Sequence, residues 1–278
     1  MTTFDPSVLA ESISAETGLG FVGSDGRSAD GVRWLEVVPA GHPLGQTFAI
    51  RAEIGWRRID VRFRLGSFAG DLLASTRSAD ETGRRVFQTV LDACQKAGAG
   101  VALIVNGTIR NHRDDAVWED PWRSFGFVVG KGMLAINEGN DTADMRLIEE
   151  WATRATAAVI ALLPVEEEAR GLPEGAKLRI EVNRYERDRR NRTAALAIHG
   201  HKCMACGTDM AERYGAAAEG LIEVHHTIPV SEVGPGYIID PGTDLIPLCP
   251  DCHSVAHRRS PPYSVKELRN MLRPNLPA

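Results

Sequence analysis

The sequence has no apolar run near the ~20 residues that a bilayer-spanning helix requires. Its first residues, MTTFDPSVLAESIS, carry neither a basic n-region nor an apolar h-region, so no secretory signal is expected. Both absences point to a soluble, cytoplasmic protein with no membrane partner. Basic charge is not in excess: 32 Lys and Arg stand against 37 Asp and Glu, a net charge of −5, which excludes a uniformly basic nucleic-acid coat. Aromatic residues make up only 6%, cysteine is limited to five, and there is no internal repeat or low-complexity tract. What remains is an ordinary globular balance, 43% hydrophobic and 25% charged, in 278 residues, which is room for two domains.

The sparse residues are unevenly placed. All five Trp and all eight Phe precede residue 152, whereas all four Tyr follow residue 184. Residues 1–170 carry 18 Lys and Arg against 24 Asp and Glu; residues 171–278 carry 14 against 13. Between them, Pro164 to Glu174 is rich in Glu, Gly and Pro and ends a helical pattern. The expected organisation is an N-terminal α+β domain with a mixed α/β sheet over 1–165, a linker with a basic helix over 166–195, and a C-terminal domain over 196–278.

In the N-terminal part, Thr47–Ile54 and Arg57–Leu65 predict a hairpin. Ile59, Val61, Phe63 and Leu65 alternate with Arg58, Asp60, Arg62 and Arg64, the period of a half-buried strand. Asp80 is placed to cap a helix running to about Lys96, with Val86, Phe87, Val90 and Leu91 inward and Cys94 as a small buried hydrophobe. Val101–Val105 and Phe125–Val129 predict strands. Asp141 or Thr142 starts a long helix through Leu163 with Leu147, Ile148, Trp151, Ala155 and Val159 on one face. The C-terminal part predicts a helix at Arg184–Ile198, a strand at Leu221–Val224, a short helix with Ser254–Arg258 as its body and a last helix, Val265–Leu272, capped by Ser264. A unit so rich in loops needs a staple.

The staple is written in cysteine. Cys203-Met-Ala-Cys206 and Cys249-Pro-Asp-Cys252 are separated by 42 residues. Each Cys-x-x-Cys forms a tight knuckle aiming two thiolates at one ion, and two knuckles complete a tetrahedral structural Zn²⁺ site. The other reading is four reduced thiols without metal. Between the knuckles lie Glu223-Val-His225-His226 and Asp244-Leu-Ile-Pro-Leu-Cys249, and His253 and His257 follow. His253 and His257 are four apart, so a helix puts both imidazoles on one face. Adjacent strand residues point to opposite faces, so His225 and His226 cannot share one task unless the strand end bends.

These residues resemble the HNH, or ββα-metal, nucleases. Val182-Asn183-Arg184-Tyr185-Glu186-Arg187, Ile198-His199-Gly200-His201-Lys202-Cys203, Glu212-Arg213-Tyr214-Gly215, Ile222-Glu223-Val224-His225-His226 and Asp240-Pro241 before Thr243-Asp244-Leu245 are similar to the zinc-bearing HNH domains of McrA-like bacterial restriction endonucleases. The likeness covers roughly residues 176–275. It implies a ββα-metal domain in which His226 is the general base. It also implies that His225 and His253 hold a catalytic divalent ion such as Mg²⁺ or Mn²⁺. His257 is either a further ligand, a phosphate contact or a helix cap. Asp244 stands where the family name has Asn; it either orients the base or binds metal, and it can accept hydrogen bonds but not donate them.

Several features carry two readings. Arg187, Arg189, Arg190 and Arg192, with Lys202, either contact DNA phosphates or form an ordinary solvated surface. Arg58, Arg62 and Arg64 are either a nucleic-acid face or a solvated strand face. Trp118-Glu-Asp-Pro-Trp122-Arg-Ser-Phe125 is either a base-stacking loop or a cover over the core.

The resemblance implies an endonuclease acting on DNA, double-stranded and carrying modified bases or backbone, in defence against foreign DNA; such enzymes often act as homodimers. Two alternatives differ in class. One is an HNH effector whose N-terminal domain binds a protein or small signal. The other is a non-catalytic zinc-stabilised DNA-binding module, which would need the cysteines but not the histidines.

Overall fold

The computed structural model describes residues 4–137, 139–163, 189–228, 237–259 and 261–272. The chain divides into two compact units, Met1–Pro164 and Val165–Ala278.

The first unit opens with α1 (Pro6–Thr17). Asp5 caps it by accepting from Ser7 N, and Gly18 ends it at φ 68°, donating to Ser14 O. Four strands follow, β1 (Phe21–Arg27), β2 (Arg33–Pro39), β3 (Phe48–Gly55) and β4 (Arg58–Leu65), then α2 (Gly70–Arg77) and α3 (Glu81–Lys96). The unit closes with β5 (Gly100–Val105), β6 (Thr108–Arg110), β7 (Phe125–Gly132) and α4 (Asp141–Leu162). The strands form one sheet in the order β1-β2-β3-β4-β7-β5-β6, every neighbouring pair antiparallel. Helix α4 lies against β3 and β4 and touches α1 and α3.

The register explains the core. Ile59, Val61 and Phe63 of β4 stand opposite Ile54, Ala52 and Ile50 of β3, and Val61 and Phe63 stand opposite Val129 and Phe127 of β7. All are buried. The rings continue the row, Phe48 to Phe63 at 5.7 Å, Phe63 to Phe127 at 5.4 Å and Phe127 to Phe87 of α3 at 5.8 Å between centroids. Gly23 lets β1 pass the start of α1, since a Cβ there would lie 2.0 Å from Pro6 O.

The predicted hairpin forms within a residue of its expected ends, and Asp80 caps α3 through Gly83 N at 2.6 Å. Cys94 is buried in α3, and burial pushes its thiol up to about 11. The Trp118–Phe125 loop faces inward. Trp118, Trp122 and Phe125 are buried, Trp122 stacks on Phe125 at 4.4 Å, and its indole N–H donates to Val117 O at 2.8 Å. The base-stacking reading of that loop is therefore corrected: its rings are spent on the core. The arginines of β4 are likewise engaged at home. Arg58 pairs with Asp60, Arg62 with Glu53, and Arg64 shares the buried Glu36 with Arg51. That pattern is the solvated strand face. The two Arg64 and Arg51 guanidiniums hold the Glu36 carboxyl below its usual range although burial opposes them.

The second unit contains α5 (Arg189–His199), α6 (Met210–Tyr214), β8 (Glu223–His226), β9 (Leu245–Leu248), α7 (Pro250–Ala256) and α8 (Val265–Met271). Strands β8 and β9 pair antiparallel, Glu223 opposite Leu248 and His226 opposite Leu245, and α7 follows directly: a ββα unit. Ile246 and Leu248 pack with Leu196, Ile222, Ala256, Leu268 and the cysteines. Leu245 turns the other way, toward Ala195 and Ile239. Helix α5 thus crosses residue 195, where the linker was expected to end, and its Leu196 belongs to the core of this unit.

Two elements of this unit are shifted from expectation. Strand β8 begins at Glu223 rather than Leu221, so the histidine pair lies inside the strand. Helix α7 begins at Pro250 rather than Ser254, because a proline at the first position has its φ already set and Cys249 caps from extended backbone. The last helix is as read, with Ser264 and Glu267 forming a capping box.

Candidate functional site

The site is two clusters on one short frame. In the first, the sulfurs of Cys203, Cys206, Cys249 and Cys252 all lie within 4.8 Å of one another, with Cys206 to Cys249 at 3.7 Å. No pair is a disulfide. A tetrahedron with metal–sulfur bonds of about 2.3 Å has edges of about 3.8 Å, so the spacing fits a zinc ion. The first knuckle closes when Gly207, at φ 75°, donates to Cys203 O at 2.8 Å. Met204 N donates to Pro247 O on β9 at 2.9 Å, and Arg269 of α8 donates twice to Met204 O. The second knuckle is the cap and first turn of α7.

The thiols alone do not favour shared ionisation. Burial pushes Cys249 up to about 11, and burial together with the neighbouring sulfurs pushes Cys252 up further. Burial also opposes ionisation of Cys206, but hydrogen bonding with Thr208, and to a lesser extent with Cys203 and Cys249, overcomes it and brings that thiol to about 7. One thiol is thus poised to ionise first. A dication supplies the charge that four thiolates need.

The second cluster is imidazole. Ring nitrogens of His225, His253 and His257 lie within 4.8 Å of one another, and Nε2 of His257 is 3.2 Å from Nε2 of His253. The three ring centroids are 4.6 to 5.3 Å apart. His225 comes from β8, His253 from α7, and His257 is the C-cap residue of α7. His225 is only 5% exposed. Burial, followed by the neighbouring His257, His253 and His226, lowers its pKa to about 4, so the ring is neutral and its lone pair is available. Three imidazoles at this spacing fit a divalent ion with positions left open.

One residue of this cluster carried no assigned role in the sequence. Glu223 shares a face of β8 with His225, two residues away, and its carboxylate meets Nδ1 of His253. A carboxylate on one ring nitrogen fixes the tautomer that offers the other to a metal. The signal was the i, i+2 spacing of Glu223 and His225 within a strand.

His226 is not part of the triplet among the described residues, and it stays near enough for its charge to act on His225. Asp244 lies outside both clusters among the described residues. Its carboxylate accepts from Tyr237 Oη at 2.7 Å and Asp240 N at 2.9 Å, and its carbonyl accepts from Thr227 N at 2.8 Å. It therefore organises the loop before β9 and ties that loop to the residue after His226.

The basic residues part ways. Arg187 lies outside the described residues. Arg190 is buried, and Arg192 donates to Ile222 O at 3.1 Å, which braces α5 against the approach to β8. Arg189 is exposed. Lys202 is exposed and paired with Glu212 at 3.0 Å.

No helix among the described residues is long and apolar enough to cross a membrane. No curated protein and no solved structure matches the chain. Residues 203–259 match the family described as HNH endonuclease, and that span contains both knuckles and every histidine of the triplet. The chain therefore carries an HNH endonuclease domain at 203–259, in a ββα frame beside a four-cysteine cluster with the spacing of a zinc site.

Proposed function

We propose that this protein is a metal-dependent endonuclease that hydrolyses DNA phosphodiesters, with zinc in the cysteine cluster as a structural staple. The observation that carries the reading is the triplet His225, His253 and His257, with ring nitrogens within 4.8 Å, inside a span that matches an HNH endonuclease. When bound there, a divalent ion such as Mg²⁺ or Mn²⁺ supplies charge neutralisation for the phosphoryl group and the leaving oxygen.

The chain supplies the rest. His225, kept neutral by burial, and His257 present ring nitrogens to the site. Glu223 holds His253 by Nδ1 so that Nε2 faces its neighbours. His226 acts as general base, accepting the proton of the attacking water at a ring nitrogen; an imidazole suits that task near neutral pH. Asp244 is a positioning residue, bracing the backbone that follows His226. Arg189 and Lys202 are exposed cations of this unit, and the reading assigns them contacts to phosphate. The exposed Lys202–Glu212 pair costs little to exchange for one.

The separate first unit supports a division of labour in which one unit cuts and the other selects modified foreign DNA, as in restriction. Pairing of two copies would convert single-strand nicks into double-strand breaks. The test is incubation of the protein with Mg²⁺ or Mn²⁺ and plasmids of differing modification status. Cleavage of one class alone is the expected result; intact plasmids under every condition would sink the nuclease reading.

One observation favours a second reading, an effector nuclease governed by a ligand of the first unit: the Trp118–Phe125 rings and the β4 arginines are engaged internally. It predicts cleavage indifferent to modification.

A further inference from the structure

His226 occupies the last pair of the β8–β9 ladder, opposite Leu245. The end of a two-stranded ladder is where strands fray unless something beyond it holds the chain. Here one rung lies beyond. Thr227 N donates to Asp244 O at 2.8 Å, and Thr227 Oγ1 donates to Thr243 O at 3.4 Å. The course of the backbone at His226 is therefore set by where Asp244 stands.

Asp244 is in turn held by its side chain. Oδ2 accepts from Tyr237 Oη at 2.7 Å and from Asp240 N at 2.9 Å, and Oδ1 accepts from Thr243 Oγ1 at 3.1 Å. Three donors converge on one carboxylate. The backbone closes the same loop, with Asp244 N donating to Asp240 O at 2.8 Å and Gly242 N donating to Asp240 Oδ1 at 2.8 Å. On one side the loop is anchored to α5: Ile239 packs with Ala195 and Leu245, and a ring nitrogen of His199 lies 3.2 Å from Pro241 O. Tyr237 closes it from further back in the chain. Its side chain is the one from outside residues 240–244 that reaches the Asp244 carboxylate among the described residues. Its ring is 41% exposed, so burial of the ring is not what holds it there. The hydrogen bond to Asp244 raises the pKa of the phenol, which keeps Tyr237 the donor.

We infer that Tyr237 is a positioning residue of the nuclease: its hydroxyl clamps Asp244, and through the Thr227 rung that clamp fixes the strand end that carries His226. The inference rests on the reading of His226 as general base. It also accounts for Asp where the family name has Asn. Toward Tyr237 and Asp240 the side chain at 244 serves as an acceptor. An amide oxygen can accept both bonds while its NH₂ group donates to Thr243 Oγ1. The acceptor at 244 is thus required and its charge is not. A carboxylate that held the catalytic ion would behave in the opposite way, losing the ion when its charge is removed.

The test uses the full chain with its zinc retained and the variants Tyr237→Phe, Asp244→Ala, Asp244→Asn and Tyr237→Phe with Asp244→Ala. The readouts are kcat and KM for plasmid nicking, the Mn²⁺ concentration giving half the maximal rate, and deuterium uptake by the peptide that contains Thr227. Tyr237→Phe is expected to lower kcat about tenfold with KM unchanged, inside the hundredfold that a 1 Å misplacement can cost. Uptake at Thr227 becomes faster in the same variant. Asp244→Ala loses at least as much kcat, Asp244→Asn recovers most of that loss, and adding Tyr237→Phe to Asp244→Ala changes nothing further, because the hydroxyl acts through Asp244. A Tyr237→Phe kcat within about twofold of wild type, a change in KM alone, unchanged uptake at Thr227 or an additive loss in the double variant overturns the inference and leaves the nuclease standing. A Mn²⁺ midpoint moved about tenfold or more by Asp244→Asn also overturns it, and assigns Asp244 to the ion. A wild-type chain that cuts no DNA overturns the nuclease reading, and the inference with it.

Discussion

Glu223 and His253, thirty residues apart in sequence, meet through a carboxylate and Nδ1 across the gap between β8 and α7. That contact decides which nitrogen of His253 faces His257. Glu223→Gln keeps the shape but removes the charge. Affinity for a divalent ion at the proposed site should fall about 10- to 100-fold, as for other partners of metal-binding histidines. Titration of cleavage against Mn²⁺ concentration checks it: the curve should move to higher metal while its plateau is largely kept.

His226 is outside the triplet among the described residues, so under the proposed reading its removal should spare metal binding and remove proton transfer. His226→Ala should reduce plasmid nicking about 10²- to 10⁴-fold with zinc content and melting temperature unchanged. A fully active variant would end its role as base.

The cysteine cluster makes a harsher prediction. Cys203→Ser should release zinc, read by a colorimetric chelator, and unfold the second unit, read by circular dichroism. Structural zinc contributes on the order of 10 kcal/mol of apparent folding energy, comparable to the whole stability of a small domain. A stable zinc-free variant would reject the staple.

With the cysteine cluster filled and no ion at the triplet, His225 sets a pH dependence. Its folded pKa, about 4, is below the unfolded value of about 6.5. Between those values the unfolded chain binds the extra proton, so stability is full above pH 6.5 and is lost as pH falls toward 4. The loss should reach about 3 kcal/mol, measurable by urea titration at several pH values. His225→Asn should flatten the curve across that window.

In the first unit, Trp122→Ala should cost about 3–5 kcal/mol, because it empties a ring site stacked on Phe125. The melting temperature of that unit should fall where Trp56→Ala, at a side chain 77% exposed, leaves it unchanged. Equal melting temperatures would return the Trp122 loop to the surface.

The legible parts of this molecule were those with local causes. Asp80 before an amphipathic run, alternating residues from Ile59 to Leu65, and two Cys-x-x-Cys pairs each state their structure within a few residues. The histidines were also legible as candidates, and the described structure brings three of them together. Less legible were features decided at a distance. Strand β1, Phe-Val-Gly-Ser-Asp-Gly-Arg, has no alternation of its own and exists because β2 pairs with it along its length. The work of Glu223 depends on where α7 falls. Arg190 looks like a surface cation and is buried. In Cys-Pro-Asp-Cys the proline announced a helix start, but the knuckle reading masked it.

Cys252 and His253 are consecutive residues on one turn of α7. The sulfur that completes the first cluster and the imidazole that joins the second therefore take their places in the same event. A newly made chain whose cysteines are still empty has no assembled triplet to offer. Under the proposed reading, supply of zinc, rather than supply of protein, then sets when the domain can act. Any oxidant that reaches the thiols blunts it without touching a histidine.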